Sequence, residues 1–218
     1  MENIENLKSI NIGDTAPNFT ANTTVGKINL TDYKGKWIIL FSHPGDFTPV
    51  CSTEFLAISE MYNEFIKRNC VLLGLSTDSN ASHLAWINDL YKLTNIEIPF
   101  PIIEDKNLNI SKMYNMIAPN CSNTSTVRNV YFISPEQKIC CILSYPMNIG
   151  RNIVEFLRIL DSLQYSKKNN VATPANWIPG MPTLNYSPTT QKNMMDTLNN
   201  HGDSCYSFYL CYNKNNIN

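Results

Sequence analysis

The sequence predicts an α/β fold in which a mixed central sheet is flanked by helices. Three observations carry this. Short β-branched and aromatic runs alternate with stretches of helical period from residue 37 to residue 116. Two apolar runs at 127–134 and 138–145, separated by Pro135-Glu136-Gln137, read as a hairpin. An amphipathic helix over 152–164 then closes the pattern.

The elements follow in order. Trp37 to Ser42 (WIILFS) reads as a buried strand, and Cys51 to Lys67 as a helix with Phe55, Ile58, Met61, Tyr62, Phe65 and Ile66 at helical spacing. Val71 to Ser76 (VLLGLS) is a second buried strand. Ser79 or Ser82 caps the next helix, which carries Leu84, Trp86, Ile87 and Leu90. Ile98 to Ile103 reads as a strand punctuated by Pro99 and Pro101, followed by a short helix near Leu108 to Met116. After Gln164 the composition shifts. Lys167-Lys168-Asn169-Asn170 reads as a polar hinge, and Pro174, Pro179, Pro182 and Pro188 follow with little periodicity. The aromatic run from Cys205 to Cys211 needs a surface to lie on, so residues 1–165 are expected to form the main domain and 166–218 an arm that dimerises.

Composition excludes several function classes. With 17 Lys+Arg against 18 Asp+Glu in 218 residues, the chain has no electrostatic footprint for nucleic acid or an acidic membrane. No apolar run approaches the roughly 20 residues of a spanning helix. The acidic, polar start Met1-Glu2-Asn3-Ile4-Glu5-Asn6 is wrong for an export signal, so a cytoplasmic setting is expected. Seven cysteines, an odd number at irregular spacing, do not form a secreted disulfide framework. No C-x-x-C pair occurs, and His43, His83 and His201 are far apart in sequence, so no metal site is expected.

The sharpest chemical feature is Pro44-Gly45-Asp46-Phe47-Thr48-Pro49-Val50-Cys51, between a buried strand and a helix. Pro49 suits the start of a helix, which puts Cys51 in or near its first turn. Unpaired N–H groups and the positive end of the helix dipole stabilise a thiolate there. The hydroxyl of Thr48, three residues earlier, is placed to face the same pocket. The same spacing also describes an inert buried cysteine at a helix start, and on the residues alone both readings stand. Arg128 alone in a strand reads as a solvated or edge residue, and Arg151 at a helix start opposes the dipole, which points to a specific partner. His43 either contacts the site or is a satisfied structural imidazole, and Trp86 reads as core.

P-x-x-x-T-x-x-C after an apolar strand, here in FSHPGDFTPVCSTEF, resembles the signature of the peroxiredoxins. ANTTVGKINL, LSTDSNASHLAW, IPFPIIED, TVRNVYFISPEQKI, YPMNIGRNIVEFLRILDSLQ and VATPANW extend the resemblance from about Asn18 to Trp177. The chain is similar to the one-cysteine-like branch, especially its bacterial and archaeal members. This implies a thioredoxin-like fold with a C-terminal extension arm, and thiol chemistry without metal, haem or flavin. It makes Cys51 the peroxidatic cysteine, which becomes a sulfenic acid on attacking peroxide. Thr48 matches the residue that hydrogen-bonds thiolate and peroxide, and Pro44 the one that shields the thiolate from water. Arg128 matches the arginine that holds both groups, and Arg151 a second that orients the site. The backbone N–H groups of Val50 and Cys51 match those that bind peroxide.

The resemblance also covers the tail. Cys205 and Cys211 stand as C-x5-C, as in archaeal members where the last cysteine resolves the sulfenic acid of a neighbouring subunit. Cys211 is thereby the leading resolving residue and Cys205 its exchange partner; the lesser alternative is that both merely fill an aromatic interface. Phe208-Tyr209 replaces the paired tryptophans of archaeal relatives. Cys70 reads as structural, Cys140 and Cys141 as facing opposite sides of a strand, and Cys121 has no assignment. Thr31 to Trp37 lacks the lipase-like serine motif of mammalian members, so no phospholipase activity is expected. The expected protein is a thioredoxin-dependent type of peroxidase acting on hydrogen peroxide and organic hydroperoxides, a homodimer that assembles into a decamer. The alternatives are a one-cysteine peroxidase reduced by an external small thiol, and a redox-sensing or chaperone-like oligomer. A thioredoxin-type disulfide reductase is disfavoured by the missing C-x-x-C.

Overall fold

The computed structural model describes residues 10–122, 124–200 and 204–213; the polar N-terminal stretch Met1 to Asn6 and His201 lie outside them. Thr20–Thr23 (β1) and Gly26–Asn29 (β2) pair antiparallel around a tight turn, in which Gly26 takes φ +109°. This hairpin is absent from the sequence expectation, because the four-residue strands TANT and GKIN hold only Ala21 and Ile28 as apolar residues, too few to show an alternation. A 3₁₀ turn, Leu30–Tyr33, leads to Trp37–Ser42 (β3), all six residues of which are buried.

The expected helix over 51–67 is two helices, Pro49–Glu60 (α1) and Tyr62–Lys67 (α2), separated where Met61 takes ψ 3°. Cys70–Ser76 (β4) follows, then Asn80–Thr94 (α3), capped by Ser79, whose Oγ accepts from the Ser82 N–H. Ile102–Glu104 (β5) is shorter than the expected 98–103, because Pro99 and Pro101 have no N–H for a ladder; the Pro101 carbonyl instead accepts from Gly74 N–H. Asn109–Met113 (α4) precedes Arg128–Ile133 (β6) and Ile139–Tyr145 (β7), the expected hairpin.

These strands form one seven-stranded sheet in the order β2-β1-β5-β4-β3-β6-β7. β3, β4 and β5 run parallel, linked by helical crossovers, while β1 and β6 add antiparallel on either side. Leu30, Ile38, Leu40, Leu73, Leu75, Ile103, Tyr131 and Ile133 belong to the core of buried side chains, each contributing about 1.5–3 kcal/mol. Phe41, Phe55 and Phe100 form a second buried cluster, with ring centroids 5.3–5.7 Å apart. Gly74 makes that approach possible, since a Cβ there would lie 3.3 Å from Phe55 and 3.4 Å from Phe41. The absent side chain lets α1 settle onto the sheet, and Cys51 is one turn before Phe55 on the same buried face.

Residues up to Ile153 and residues from Val154 onward pack as two units. Ile153–Asn169 (α5) runs unbroken across residues 165 and 166, so the Lys167 to Asn169 stretch read as a hinge is helical. In the second unit Trp177 is fully buried beside Tyr165, with its indole N–H on the Met181 carbonyl. The stretch expected to lack periodicity contains Gln191–Asn200 (α6) and a three-stranded sheet of Thr183–Leu184 (β8), Cys205–Ser207 (β9) and Leu210–Asn213 (β10), in the order β8-β10-β9. Cys205 and Cys211 face each other across β9 and β10 and are joined as a disulfide. Among the described residues no helix is long and apolar enough to cross a membrane.

Candidate active site

The end of β3 passes into a loop, 43–48, that delivers the chain to α1. Thr48 is the N-cap residue in extended conformation, and Pro49 takes the first helical position, where a missing N–H costs nothing. Thr48 Oγ1 donates to the Gly45 carbonyl at 2.8 Å rather than capping the helix, which leaves the hydroxyl oxygen as an acceptor. Its carbonyl takes the Ser52 N–H at 3.0 Å and the Ser52 hydroxyl at 2.8 Å. Val50 and Cys51 therefore fall in the first turn, where amides have no partner within the helix.

Cys51 is completely buried, and its Sγ accepts from Arg128 Nη1 at 3.3 Å. Arg128 opens β6 and is 2 % exposed, not the solvated edge residue that its position in a strand suggests. Two bonds fix that start: Ser42 Oγ donates to the Val127 carbonyl at 2.6 Å, and Thr126 Oγ1 to the His43 carbonyl at 2.7 Å. The guanidinium also donates from Nε and Nη2 to the Met147 carbonyl, and from Nη1 to Glu54 Oε2 at 2.7 Å.

Glu54 carries no motif signal in the sequence. It lies one turn after Cys51 on the buried face of α1 and binds both arginines. Arg151 reaches it three times, from its backbone N–H and Nε to Oε1 at 2.8 Å each, and from Nη2 to Oε2 at 2.7 Å. The remaining Arg151 nitrogen donates to the Ser42 and Asn129 carbonyls, and its guanidinium lies over the Phe41 ring at 5.3 Å. Two permanent cations and one carboxylate are thus buried together, with a formal charge of one positive unit left over beside the sulfur. An uncompensated buried charge is costly, so the pocket around the sulfur is suited to a negatively charged group.

A second buried cluster lies beside the first. Asp46, in the 43–48 loop, takes His83 Nδ1 on Oδ2 at 2.8 Å and His43 Nε2 on Oδ1 at 3.1 Å. Burial alone would push the Asp46 carboxyl up, but the hydrogen bonds from both imidazoles outweigh it and hold it well below the usual carboxylate range. Burial pushes His43 down despite its bond to Asp46. His43, Asp46 and His83 have the donor set of a metal site, with ligand atoms within 4.8 Å, and here they bond one another.

The structure thus joins Arg128 and Arg151 through Glu54 and Cys51 through Arg128, with Thr48 bonded to Gly45 at the helix start, Pro44 partly buried in the loop and Val50 beside the sulfur-bearing residue. Cys205 and Cys211 belong to the second unit. Burial pushes the Cys70 thiol up, consistent with a structural role, and Cys121 is exposed.

Comparison with known proteins shows the family. The AhpC/TSA family pattern matches residues 12–141, and the C-terminal domain of 1-Cys peroxiredoxin matches residues 162–197. Peroxiredoxin 2 of Caldanaerobacter subterraneus is 53% identical over 215 residues, covering 98% of this chain and 97% of that one. Two solved structures superpose with TM-scores of 0.82. The yeast mitochondrial 1-Cys peroxiredoxin is 39% identical, with 93% of this chain and 98% of the other covered. A mutant of Arenicola marina peroxiredoxin 6 is 34% identical, with 94% and 97% covered. The fold is the thioredoxin-like one expected from the sequence, with its C-terminal extension. From the first helical turn to the tail, the chain belongs to the peroxiredoxin family and is a peroxidase.

Proposed function

We propose that Cys51 reduces hydrogen peroxide and organic hydroperoxides by direct attack of its thiolate. The hydroperoxide O–H donates to Thr48 Oγ1, and the terminal oxygen meets Sγ. An S–O bond forms as the O–O bond breaks. Cys51 becomes a sulfenic acid, and the departing alkoxide or hydroxide takes a proton from water. Arg128 and the Val50 and Cys51 amides stabilise charge moving onto the departing oxygen, and Arg151 holds Arg128 in place through Glu54. Pro44 shields the thiolate. The observation that carries this reading is the uncompensated positive charge of Arg128, Arg151 and Glu54, directed at Sγ by a 3.3 Å bond.

The sulfenic acid is then attacked by Cys211, or Cys205, of a neighbouring subunit, giving a disulfide and water. A thioredoxin-like or small thiol returns both cysteines to the reduced state. The Cys205–Cys211 bond supports a thiol pair that cycles. In this reading residues 1–165 are the peroxidase domain, 166–218 are the dimerisation arm, the homodimer builds a decamer, and the protein works in the cytoplasm. A second reading, reduction by an external small thiol alone, draws on the 39% identical yeast 1-Cys relative, whose resolving mechanism is described as using glutathione and thioredoxin systems.

Intact mass and non-reducing gels after one equivalent of hydrogen peroxide, on the native protein, Cys51→Ser and Cys211→Ser, separate the two. A covalent dimer requiring both cysteines is expected. One added oxygen on Cys51 without a dimer would establish the external-thiol cycle, and no change at Cys51 would refute the peroxidatic assignment.

A further inference from the structure

The loop from β7 to α5, residues 146–152, is tied at three points to residues around Cys51. The Met147 carbonyl accepts from Arg128 Nε at 2.9 Å and also from Nη2. The Arg151 backbone N–H donates to Glu54 Oε1 at 2.8 Å. Between these two, Gly150 presents its bare Cα to the start of α1, where an added Cβ would lie 3.5 Å from Val50 Cγ1. A turn closes the intervening stretch, with the Ile149 N–H on the Pro146 carbonyl at 3.3 Å. The backbone is thus held on both sides of residue 149, while the Ile149 side chain is 48% exposed. A lone exposed isoleucine is ordinary on a protein surface. What sets this one apart is its place, between the carbonyl that holds Arg128 and the amide that holds Glu54.

Cys51 is completely buried, so only the peroxide end of a substrate fits at Sγ, and any organic remainder extends outward past the residues that border the sulfur. The 146–150 stretch is such a border, because the guanidinium that reaches Sγ through Nη1 holds Met147 through Nε and Nη2. We propose that Ile149 is a specificity-determining residue, whose side chain packs against the organic remainder of an alkyl or aryl hydroperoxide. The chemistry is the same for every substrate. The terminal oxygen bonds to Sγ as the O–O bond breaks, and the other oxygen departs with the organic group, taking a proton from water to leave as an alcohol. Ile149 touches only the part of the substrate that does not react, and that contact, kept in the transition state, speeds the reaction of the substrate that makes it. Hydrogen peroxide has no such remainder and gains nothing. The proposal rests on Cys51 being the residue that hydroperoxide oxidises, and adds what sets the preference among hydroperoxides.

The test is the rate constant for Cys51 oxidation, read by stopped flow with hydrogen peroxide and with cumene hydroperoxide. Ile149→Asn should lower the cumene hydroperoxide constant about fivefold and leave the hydrogen peroxide constant unchanged. A methylene in a closed pocket is worth about 10–200-fold, and a side chain half open to water contributes less than that. Ile149→Phe, which enlarges the apolar surface, should shift the ratio of the two constants the other way. Neither substitution removes a hydrogen bond, since the loop is held through its backbone. Leu93→Asn, at an apolar position 74% exposed near the end of α3, is the control for surface hydrophobicity and should leave the ratio unmoved. A ratio that Ile149→Asn does not move, or an equal fall with both substrates, overturns the specificity role and leaves the peroxidatic reading standing. Absence of Cys51 oxidation by either hydroperoxide in the native protein overturns the peroxidatic reading, and this role with it.

Discussion

Glu54 and Arg151 meet through three hydrogen bonds of 2.7–2.8 Å, one of them from the arginine backbone, and the same carboxylate also holds Arg128. The helix bearing Cys51 and the two arginines are thereby locked to one another. Glu54→Gln leaves both cations buried without a counter-charge, and should cost about 3–5 kcal/mol of stability. Stability to urea and the rate of peroxide consumption should fall together. Loss of rate with full stability would show Glu54 to act on the chemistry itself.

Arg128 donates to Cys51, Glu54 and Met147 from three different nitrogens, a fan that only a planar fork provides. Arg128→Lys keeps the charge and loses the geometry. Stopped-flow peroxide kinetics should show a fall of about 10²–10³-fold, the scale of removing one preorganised donor.

Acid should unfold the protein in two stages. His43 is held neutral, below the ordinary histidine value of 6.5, so the unfolded chain takes up a proton first and stability declines as pH drops through that value. Asp46 is held well below the ordinary 3.8, so its contribution is complete above that value and is lost as pH falls further. Urea midpoints between pH 8 and pH 3 check both stages. His43→Asn should flatten the upper one and weaken the lower one, because one of the two imidazole bonds that hold Asp46 down is lost.

Gly74→Ala introduces a Cβ 3.3 Å from Phe55, in a core with no room for it. A loss of about 1–3 kcal/mol is expected, by thermal or urea unfolding. Because Phe55 is one turn from Cys51, the peroxide rate should fall in parallel, whereas overpacking confined to the far side of the sheet would spare it.

The parts of the fold that were legible in the sequence were those with a strong local signal. The continuous apolar runs of β3, β4 and β6 and the helical spacing of α3 and α5 left little choice. Pro49 marked the helix start that places Cys51, and motif residues carried Thr48, Arg128 and Arg151. Glu54 escaped because an acid on a helix face looks solvated until its cations, 74 and 97 residues away, are brought to it. His83 and Asp46, 37 residues apart, escaped for the same reason. β1 and β2 gave no periodicity because their pairing partners, not their side chains, define them, and α6 was obscured by the prolines before it. α5 outran its apolar stripe, since Lys167, Lys168 and Asn169 extend a helix already nucleated.

The unbalanced positive charge beside Cys51 has a consequence for the protein's working life. In the proposed cycle, oxidation of a Cys51 thiolate to the neutral sulfenic acid would remove the negative charge beside the arginines, and the pocket would be short of one. Sulfinic acid is ionised at neutral pH and would restore it. In the proposed cycle, the electrostatic feature that would activate the resting cysteine is therefore also the one that would best accommodate its dead-end product. Reactivity and wear share one cause, and neither can be tuned at Arg128, Arg151 or Glu54 without moving the other.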